Sequence, residues 1–349
     1  EEHLVGTHDK PGLNPKARLR LYGQELNDQS YAICKSDMIA KGQDATNIKL
    51  GDTLADDQFA GTTFDYCMSN PPYGVDWKAS EEAVKKDRAD RGAASRFHAG
   101  LPSIGDGQML FLQHLAAKMR PVQDGGGRAG IVLNGSPLFT GAAGSGESEI
   151  RRWLLESDLV DAIVALPTNM FYNTGLATYI WILDNAKPAH RVGKVQLVDG
   201  TAFYEKMRKN LGDKSREVTE PHRNTIVELY DAYADGEHSR TFTTDAFGYW
   251  TITLDRPMRR NYSAVRLDAV EDKKFGKGAD VDAFRAAIAG MNQAVYKNRD
   301  DFVADLREAV VGVGLTMTPA QYRTLALALS EVDETADLVV DAKGRPELD

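Results

Sequence analysis

The run Phe64-Asp65-Tyr66-Cys67-Met68-Ser69-Asn70-Pro71-Pro72-Tyr73-Gly74 begins as a strand and ends as a rigid turn. Phe64, Tyr66, Cys67 and Met68 are aromatic and apolar types that suit a sheet, and two consecutive prolines, which lack the N–H a ladder needs, stop it after Asn70. Open α/β sheets bind ligands just outside the carboxyl ends of their strands, which is where Asn70-Pro71-Pro72-Tyr73 falls. Four specified residues recur by accident in roughly one chain of this length in a thousand at average residue frequencies. A turn that merely ends the strand is the plainer alternative.

Outward from that strand, short apolar runs alternate with helical patterns, the signature of an α/β sheet covered by helices. Residues 19–24 read as a strand ending at Glu25, followed by a helix from an Asp28 N-cap through Ile39, closed by Gly42. Residues 47–50 form a short strand ending in Gly51-Asp52. Residues 74–106 are charged, rich in Gly and Ala, and without a sustained period, so they read as a functional or mobile loop. Residues 108–119 make a helix with Leu110, Phe111, His114 and Leu115 on one face. Strands are expected over 128–134, 159–166 and 177–183, with an edge strand over 194–198.

Beyond about residue 200 the pattern changes. Residues 205–216 carry five cations (Lys206, Arg208, Lys209, Lys214 and Arg216), fitting either a DNA-phosphate contact or a solvated helix face. Residues 247–254 read as one strand. The remainder is mostly helical, with an N-cap Thr318, Pro319 at the first helical position and a capping-box Gln321. The expected division is a catalytic core over 1–200, a basic and connecting region over 201–265, and a helical, partner-binding region over 266–349.

Composition narrows the class. The 349 residues are 42% hydrophobic and 27% charged, which excludes a mainly disordered or collagen-like chain. No run approaches the roughly 18 to 20 apolar residues of a membrane span. The first residues have neither the basic nor the apolar region of a signal peptide. Cys34 and Cys67 cannot build a disulfide framework, so a reducing cytoplasm is the expected compartment. The net charge of −9 argues against strong DNA binding by this chain alone and leaves a local basic cleft or a DNA-binding partner.

The chemistry available to Asn70-Pro71-Pro72-Tyr73 is specific. An exocyclic amine conjugated to a heterocycle is a poor nucleophile because its lone pair is delocalised. The Asn70 side-chain oxygen and the Pro71 carbonyl can each accept one N–H of such an amine, with the prolines fixing the backbone. Two acceptors favour a pyramidal nitrogen whose lone pair points at an electrophile. Tyr73 can stack on the ring. A base in a duplex reaches such a pocket only if it is flipped out.

The turn is similar to a motif of the amino-methyltransferases that use S-adenosylmethionine. Its surroundings resemble one family, the modification subunits of type I restriction-modification systems, which are adenine-specific DNA N6 methyltransferases. The matching stretches are Leu21-Tyr22-Gly23-Gln24-Glu25, Gly51-Asp52-Thr53-Leu54, the 64–74 run, Leu166-Pro167, Phe171-Tyr172-Asn173-Thr174-Gly175, Lys209-Asn210-Leu211-Gly212-Asp213-Lys214 and Phe247-Gly248-Tyr249. The resemblance covers roughly residues 1–265.

It implies a Rossmann-like S-adenosylmethionine-dependent methyltransferase sheet with a mostly helical C-terminal extension. It assigns Asn70, Pro71, Pro72 and Tyr73 to catalysis, Tyr73 and Phe171 (with Tyr172 as rival) to stacking on the target base, and Glu25, Asp52, Thr53 and Asn70 to the cofactor. Glu25 would take the ribose diol and Asp52 the adenine amino group. Lys209 and Lys214 become candidate DNA contacts. The implied partners are DNA, a specificity subunit, a second modification subunit and the restriction subunit, with no membrane and no metal.

The family's first strand and its glycine-rich cofactor loop have no counterpart after Glu1, and 341–349 resembles a segment that continues further. Truncation at both ends, weak cofactor binding and an unsupported sheet centre are therefore expected. Two alternatives remain: a protein-glutamine N5 methyltransferase, whose side-chain amide fits the same pocket, and a non-catalytic assembly module that docks a specificity subunit. Gly125-Gly126-Gly127-Arg128-Ala129-Gly130 fits a dinucleotide fingerprint literally but follows a helix and precedes a strand, so it reads as a connector. Gly312-Val313-Gly314 in the helical tail lacks the context of a cofactor loop. The seven histidines form no H-x-x-x-H pair, and no metal site is indicated.

Overall fold

The computed structural model describes every residue except Glu1, 7–11, Pro15, Asn173, Trp250, Thr251, Thr253, Leu254, 276–279, Gln293 and Asp349. The chain forms two compact units, Glu1–Trp250 and Thr251–Asp349.

The first unit opens with a short helix α1 (Glu2–Val5), then strand β1 (Gly23–Glu25), helix α2 (Asp28–Ala40) and strand β2 (Ile48–Leu50). β1 and β2 form a parallel two-stranded pair, with Glu25 opposite Leu50. Six further strands build the main sheet: β3 (Tyr66–Ser69), β4 (Arg128–Asn134), β5 (Val160–Ala165), β6 (Thr178–Asp184), β7 (Lys194–Asp199) and, after the hairpin β8 (Glu205–Leu211) and β9 (Lys214–Glu217), β10 (Ser239–Thr243). Their order is β10-β7-β5-β6-β4-β3. β3, β4, β5 and β7 run the same way, while β6 and β10 run against them. This mixed sheet with helices is the expected α/β class. Among the described residues, the β1–β2 pair shares no ladder with β3.

Helices α3 (Glu81–Arg91), α4 (Gln108–Lys118), α5 (Ser136–Phe139), α6 (Gly146–Glu156) and α7 (Glu220–Ala232) complete the unit. Leu112 and Leu115 of α4 and Ile150 and Leu154 of α6 pack on Ile131 and Leu133 of β4 and Trp181 and Leu183 of β6. Each such fully buried aliphatic side chain contributes about 1.5–3 kcal/mol. The second unit has the antiparallel pair β11 (Arg260–Tyr262) and β12 (Ser330–Val332) with helices α8 (Val281–Ala289), α9 (Arg299–Gly312) and α10 (Pro319–Ala328). Its core gathers Tyr262, Ile288, Phe302, Leu306, Val310 and Leu325. The capping box at Thr318 and Gln321 forms as the sequence predicts.

Several expectations are corrected. The 74–106 connection is not a structureless loop. It holds α3, which buries only Val84 and is laced by Lys85–Glu81 and Arg91–Asp87 pairs, so it leaves almost no apolar period to read. β7 is not an edge strand, because β10 pairs along its outer side. The basic 205–216 stretch is not a helix face but an antiparallel hairpin. Strand β1 takes up only the end of the expected 19–24 run, and Asn27 rather than Asp28 caps α2. Of the expected 247–254 strand, Phe247 closes a 3-10 turn, and Trp250, Thr251, Thr253 and Leu254 lie outside the described residues.

Candidate active site

Because β3, β4 and β5 point the same way, their carboxyl ends share one edge of the sheet, and the segments that follow them meet there. Asn70 directly follows β3 and is exposed, as is Pro72, whereas Pro71 is buried, so the turn is anchored through Pro71 and leaves the Asn70 side chain at the surface. The Tyr73 hydroxyl donates to Asn70 Oδ1 at 2.5 Å. Burial pushes the Tyr73 phenol up to about 12, so the hydroxyl keeps the proton it donates. Beyond β5, the 166–177 loop brings Phe171 edge-on to Tyr73, with ring centroids 6.3 Å apart and planes at 78°. Tyr172, the rival aromatic, is 58% exposed and lies under the Lys214 ammonium instead.

The loop carrying Phe171 is fastened to the β8–β9 hairpin. Asn169 sits in the left-handed region (φ 59°), which its short amide side chain tolerates. Its carbonyl accepts from the Ser215 and Arg216 amides, and its Nδ2 donates to the Asp213 carbonyl. Arg216 Nη1 donates to Thr168 Oγ1 at 2.9 Å. At the tip, Gly212 (φ 63°) passes so close to the Tyr172 carbonyl that a Cβ would lie 2.4 Å from its oxygen. Lys209 is exposed on β8, and Lys214 opens β9.

The acidic candidates form a second group. Glu25 and Asp52 stand at the carboxyl ends of neighbouring parallel strands. Glu25 Oε1 accepts from the Asn27 amide. Asp52 Oδ1 accepts from the Leu54 amide at 2.9 Å and Oδ2 from the Ser80 hydroxyl at 2.6 Å, while Thr53 between them is half-buried. Under this turn lies Arg96, whose guanidinium donates to the carbonyls of Thr53 (2.8 Å) and Leu54 (3.0 Å) and to His114 Nδ1 (2.8 Å). Arginine only donates, so His114 Nδ1 must be the unprotonated nitrogen. Burial, and then the Arg96 charge, push the His114 pKa down to about 3. No hydrogen bond or ring contact joins Glu25 or Asp52 to Asn70 or Tyr73 among the described residues. The edge of the main sheet thus unites Asn70, Tyr73 and Phe171, and the small sheet unites Glu25, Asp52 and Thr53.

Sequence reasoning missed Arg96, Ser80 and Asn169, which hold these turns. Only their polar character amid 74–106 and the 166–177 loop hinted at a role. Asn134, at the end of β4, is also pinned, accepting from Gln108 Nε2, whose Oε1 in turn accepts the Asn134 amide. A mainly apolar cavity of about 1320 Å³ lies elsewhere, between α6 and β5–β7, and touches none of the candidate residues. Among the described residues, no group of three or more His, Cys, Asp or Glu could hold a metal, and no helix is long and apolar enough to cross a membrane.

Known proteins resemble this chain in sequence and fold. The MjaIX methylase subunit of a type I restriction enzyme from Methanocaldococcus jannaschii is 30% identical over 70% of this chain and 41% of its own length. The MjaVII methylase subunit from the same organism is 28% identical over 64% of this chain and 37% of its own. A crystal structure of a type I restriction-modification methyltransferase subunit from Streptococcus thermophilus superposes with a TM-score of 0.54 at 28% identity, over 64% of this chain and 45% of that one. The chain therefore spans less than half the length of these relatives. The model of the N-6 DNA methylase family matches residues 4–255, a span that holds every candidate residue above, and the chain belongs to that family.

Proposed function

We propose that this chain is the catalytic core of a type I modification subunit that transfers a methyl group from S-adenosylmethionine to the N6 amino group of adenine in DNA. The observation that carries the reading is the Asn70-Pro71-Pro72-Tyr73 turn at the end of β3 with Phe171 facing Tyr73, inside the family match.

Asn70 Oδ1 and the Pro71 carbonyl oxygen accept the two N–H bonds of a flipped adenine, turning the nitrogen lone pair out of conjugation. Oδ1 has two lone pairs, so it can take the adenine while still holding the Tyr73 hydroxyl or can release it. A base sandwiched between two rings needs their planes about 7 Å apart, twice the stacking step of DNA. The Tyr73 and Phe171 rings, now edge to face, therefore turn toward parallel when the base enters. The residues present fit the cofactor: Asp52 and Glu25 offer carboxylates at adjacent strand ends and Thr53 its backbone amide, and Asn70 would face the sulfonium. When bound, the cofactor supplies a sulfonium methyl as the electrophile. Asn70 Oδ1 and the Pro71 carbonyl would hold the N6 hydrogens while the amine takes that methyl group, and the N6 proton displaced by it would leave along its hydrogen bond to Asn70 Oδ1 toward water. The proposed partners are DNA, a specificity subunit, a second modification subunit and the restriction subunit, with Lys209 and Lys214 on DNA phosphates.

The test uses the full-length subunit assembled with its specificity subunit and labelled S-adenosylmethionine. Asn70→Ala should lose most DNA labelling, at least about 100-fold, the scale of one preorganised acceptor or donor in a transition state. Unchanged labelling would defeat the mechanism. Labelling of a protein glutamine in place of DNA would favour the other amide-methylating reading.

A further inference from the structure

The five cations of the β8–β9 hairpin stand against three acids (Glu205, Asp213 and Glu217), a local excess of positive charge in a chain of net charge −9. Lys206, Arg208 and Lys209 lie on β8, where Lys206 and Lys209 are exposed, and none of the three makes an ion pair among the described residues. A surface hairpin needs no such row for its own folding. Its tip and β9 are bound to the loop that carries Phe171 through Asp213 to Tyr172, Ser215 and Arg216 to Asn169, and Arg216 to Thr168. The closeness of Gly212 to the Tyr172 carbonyl leaves the tip no slack.

Resting on the methyltransferase reading above, we propose that the β8–β9 hairpin grips the DNA backbone beside the flipped adenine and that its docked tip sets the position of the Phe171 wall. Lys206, Arg208 and Lys209 are the phosphate contacts on β8, beside Lys214 on β9, and Asn169, Gly212 and Arg216 are positioning residues that tie this grip to the pocket. A phosphate held on β8 thus steadies the same loop that must turn its ring onto the base. Backbone contacts of this kind position a duplex without reading its sequence, which suits a chain whose target site is chosen by another subunit.

The test uses the full-length subunit with its specificity subunit and a duplex carrying the target site, with 2-aminopurine replacing the target adenine as the reporter of flipping. The triple variant Lys206→Ser, Arg208→Ser, Lys209→Ser changes only side chains of the surface hairpin. It should raise the Kd for DNA at least tenfold and flatten the slope of log affinity against log salt by about 2 to 3, near 0.9 for each phosphate no longer neutralised. Gly212→Ala should leave the salt slope in place but cut the 2-aminopurine signal and lower kcat for DNA methylation at least tenfold, with KM for S-adenosylmethionine unmoved. Thr168→Val, which removes only the acceptor for Arg216, should show the same pattern more weakly if Gly212→Ala fails to fold. An unchanged salt slope in the triple variant overturns the phosphate grip, and dissociation of the specificity subunit from the complex instead would make the hairpin a protein-docking surface. A normal 2-aminopurine signal in both Gly212→Ala and Thr168→Val overturns the link to the pocket. Asn70→Ala keeps the two levels apart: if it still labels DNA the methyl-transfer reading fails, and if it is dead while the triple variant binds normally only the hairpin inference fails.

Discussion

Replacing Arg96 by methionine keeps the length of the side chain and removes its donors, and the consequence can be worked from the groups it holds. Arg96 is 9% exposed and donates to two backbone carbonyls and to the His114 ring. Burial lowers the pKa of its guanidinium, but arginine stays charged, so these are charge-assisted bonds. Hydrogen bonds to a charged group are worth about 1.5–3 kcal/mol each, and the carbonyl of Leu54, in a residue only 5% exposed, would be left without a partner. Three neutral acceptors lose their donor at about 1–3 kcal/mol for each buried group left unsatisfied, so, allowing for the relieved desolvation of the charge, the net loss is about 3–5 kcal/mol. For a unit of this size each kcal/mol moves Tm by about 2–4 °C, so Tm should fall by about 6–20 °C. Differential scanning calorimetry measures it directly. Arg96→Lys should recover less than half, because one ammonium cannot reach both carbonyls and the ring as a planar fork does. The same loosening frees the Asp52 turn, so titration calorimetry with S-adenosylmethionine on the full-length protein should show weaker binding in Arg96→Met. A Tm within about 2 °C of the unchanged chain, less than one kcal/mol at this size, would refute this account of the turn.

Three further outcomes are expected. Tyr73→Phe keeps the ring and removes the bond to Asn70 Oδ1, so DNA methylation should stay within a few-fold, whereas Tyr73→Ala should cost about 5- to 150-fold in kcat/KM, the 1–3 kcal/mol of one base–aromatic stack. The His114 pKa, depressed to about 3 in the fold against 6.5 unfolded, means that the unfolded chain binds the extra proton between those values. Stability contributed by neutral His114 is therefore complete above about pH 6.5 and lost as pH falls toward 3. His114→Gln, which keeps an acceptor for Arg96, should flatten Tm between about pH 7 and pH 4.5, and an unaltered acid-side fall would count against it. Lastly, Cys34 is exposed while burial pushes the buried Cys67 thiol up to about 11, so a thiol reagent at about pH 8 should label Cys34 in the native protein and Cys67 only after unfolding.

The readable parts of this chain are those whose signal lies between near neighbours. The 128–134 strand is legible because Ala129, Ile131 and Leu133 alternate with half-buried residues, the period-2 pattern of a strand packed on one face. The Thr318 capping box is legible because its two partners are three residues apart. The 74–106 segment misleads because α3 buries one residue and so has no apolar stripe to betray it. The basic 205–216 stretch misleads because charge says nothing about whether a backbone is helical or extended, and its hairpin form depends on the Gly212 turn and on the loop it docks against. The edge position expected for β7 fails because the strand that covers it, β10, comes after a whole hairpin and helix have intervened.

The chemical identity of the site is written in local order. An Asn-Pro-Pro-Tyr turn after a strand, and acids at the ends of two earlier strands, need only adjacent residues and the direction of the chain to be recognised. The arrangement of those groups belongs to the folded molecule. Phe171 meets Tyr73 only because β3 and β5 run the same way in one sheet, separated by β4 and the reversed β6. The Asp52 turn is held by Arg96 from 42 and 43 residues away, and the Phe171 loop by a hairpin 44 residues on. Bonds between residues so far apart carry no periodic or motif signal. They form because burial brings distant polar groups together and leaves each needing a partner, a requirement met only once the whole sheet has assembled.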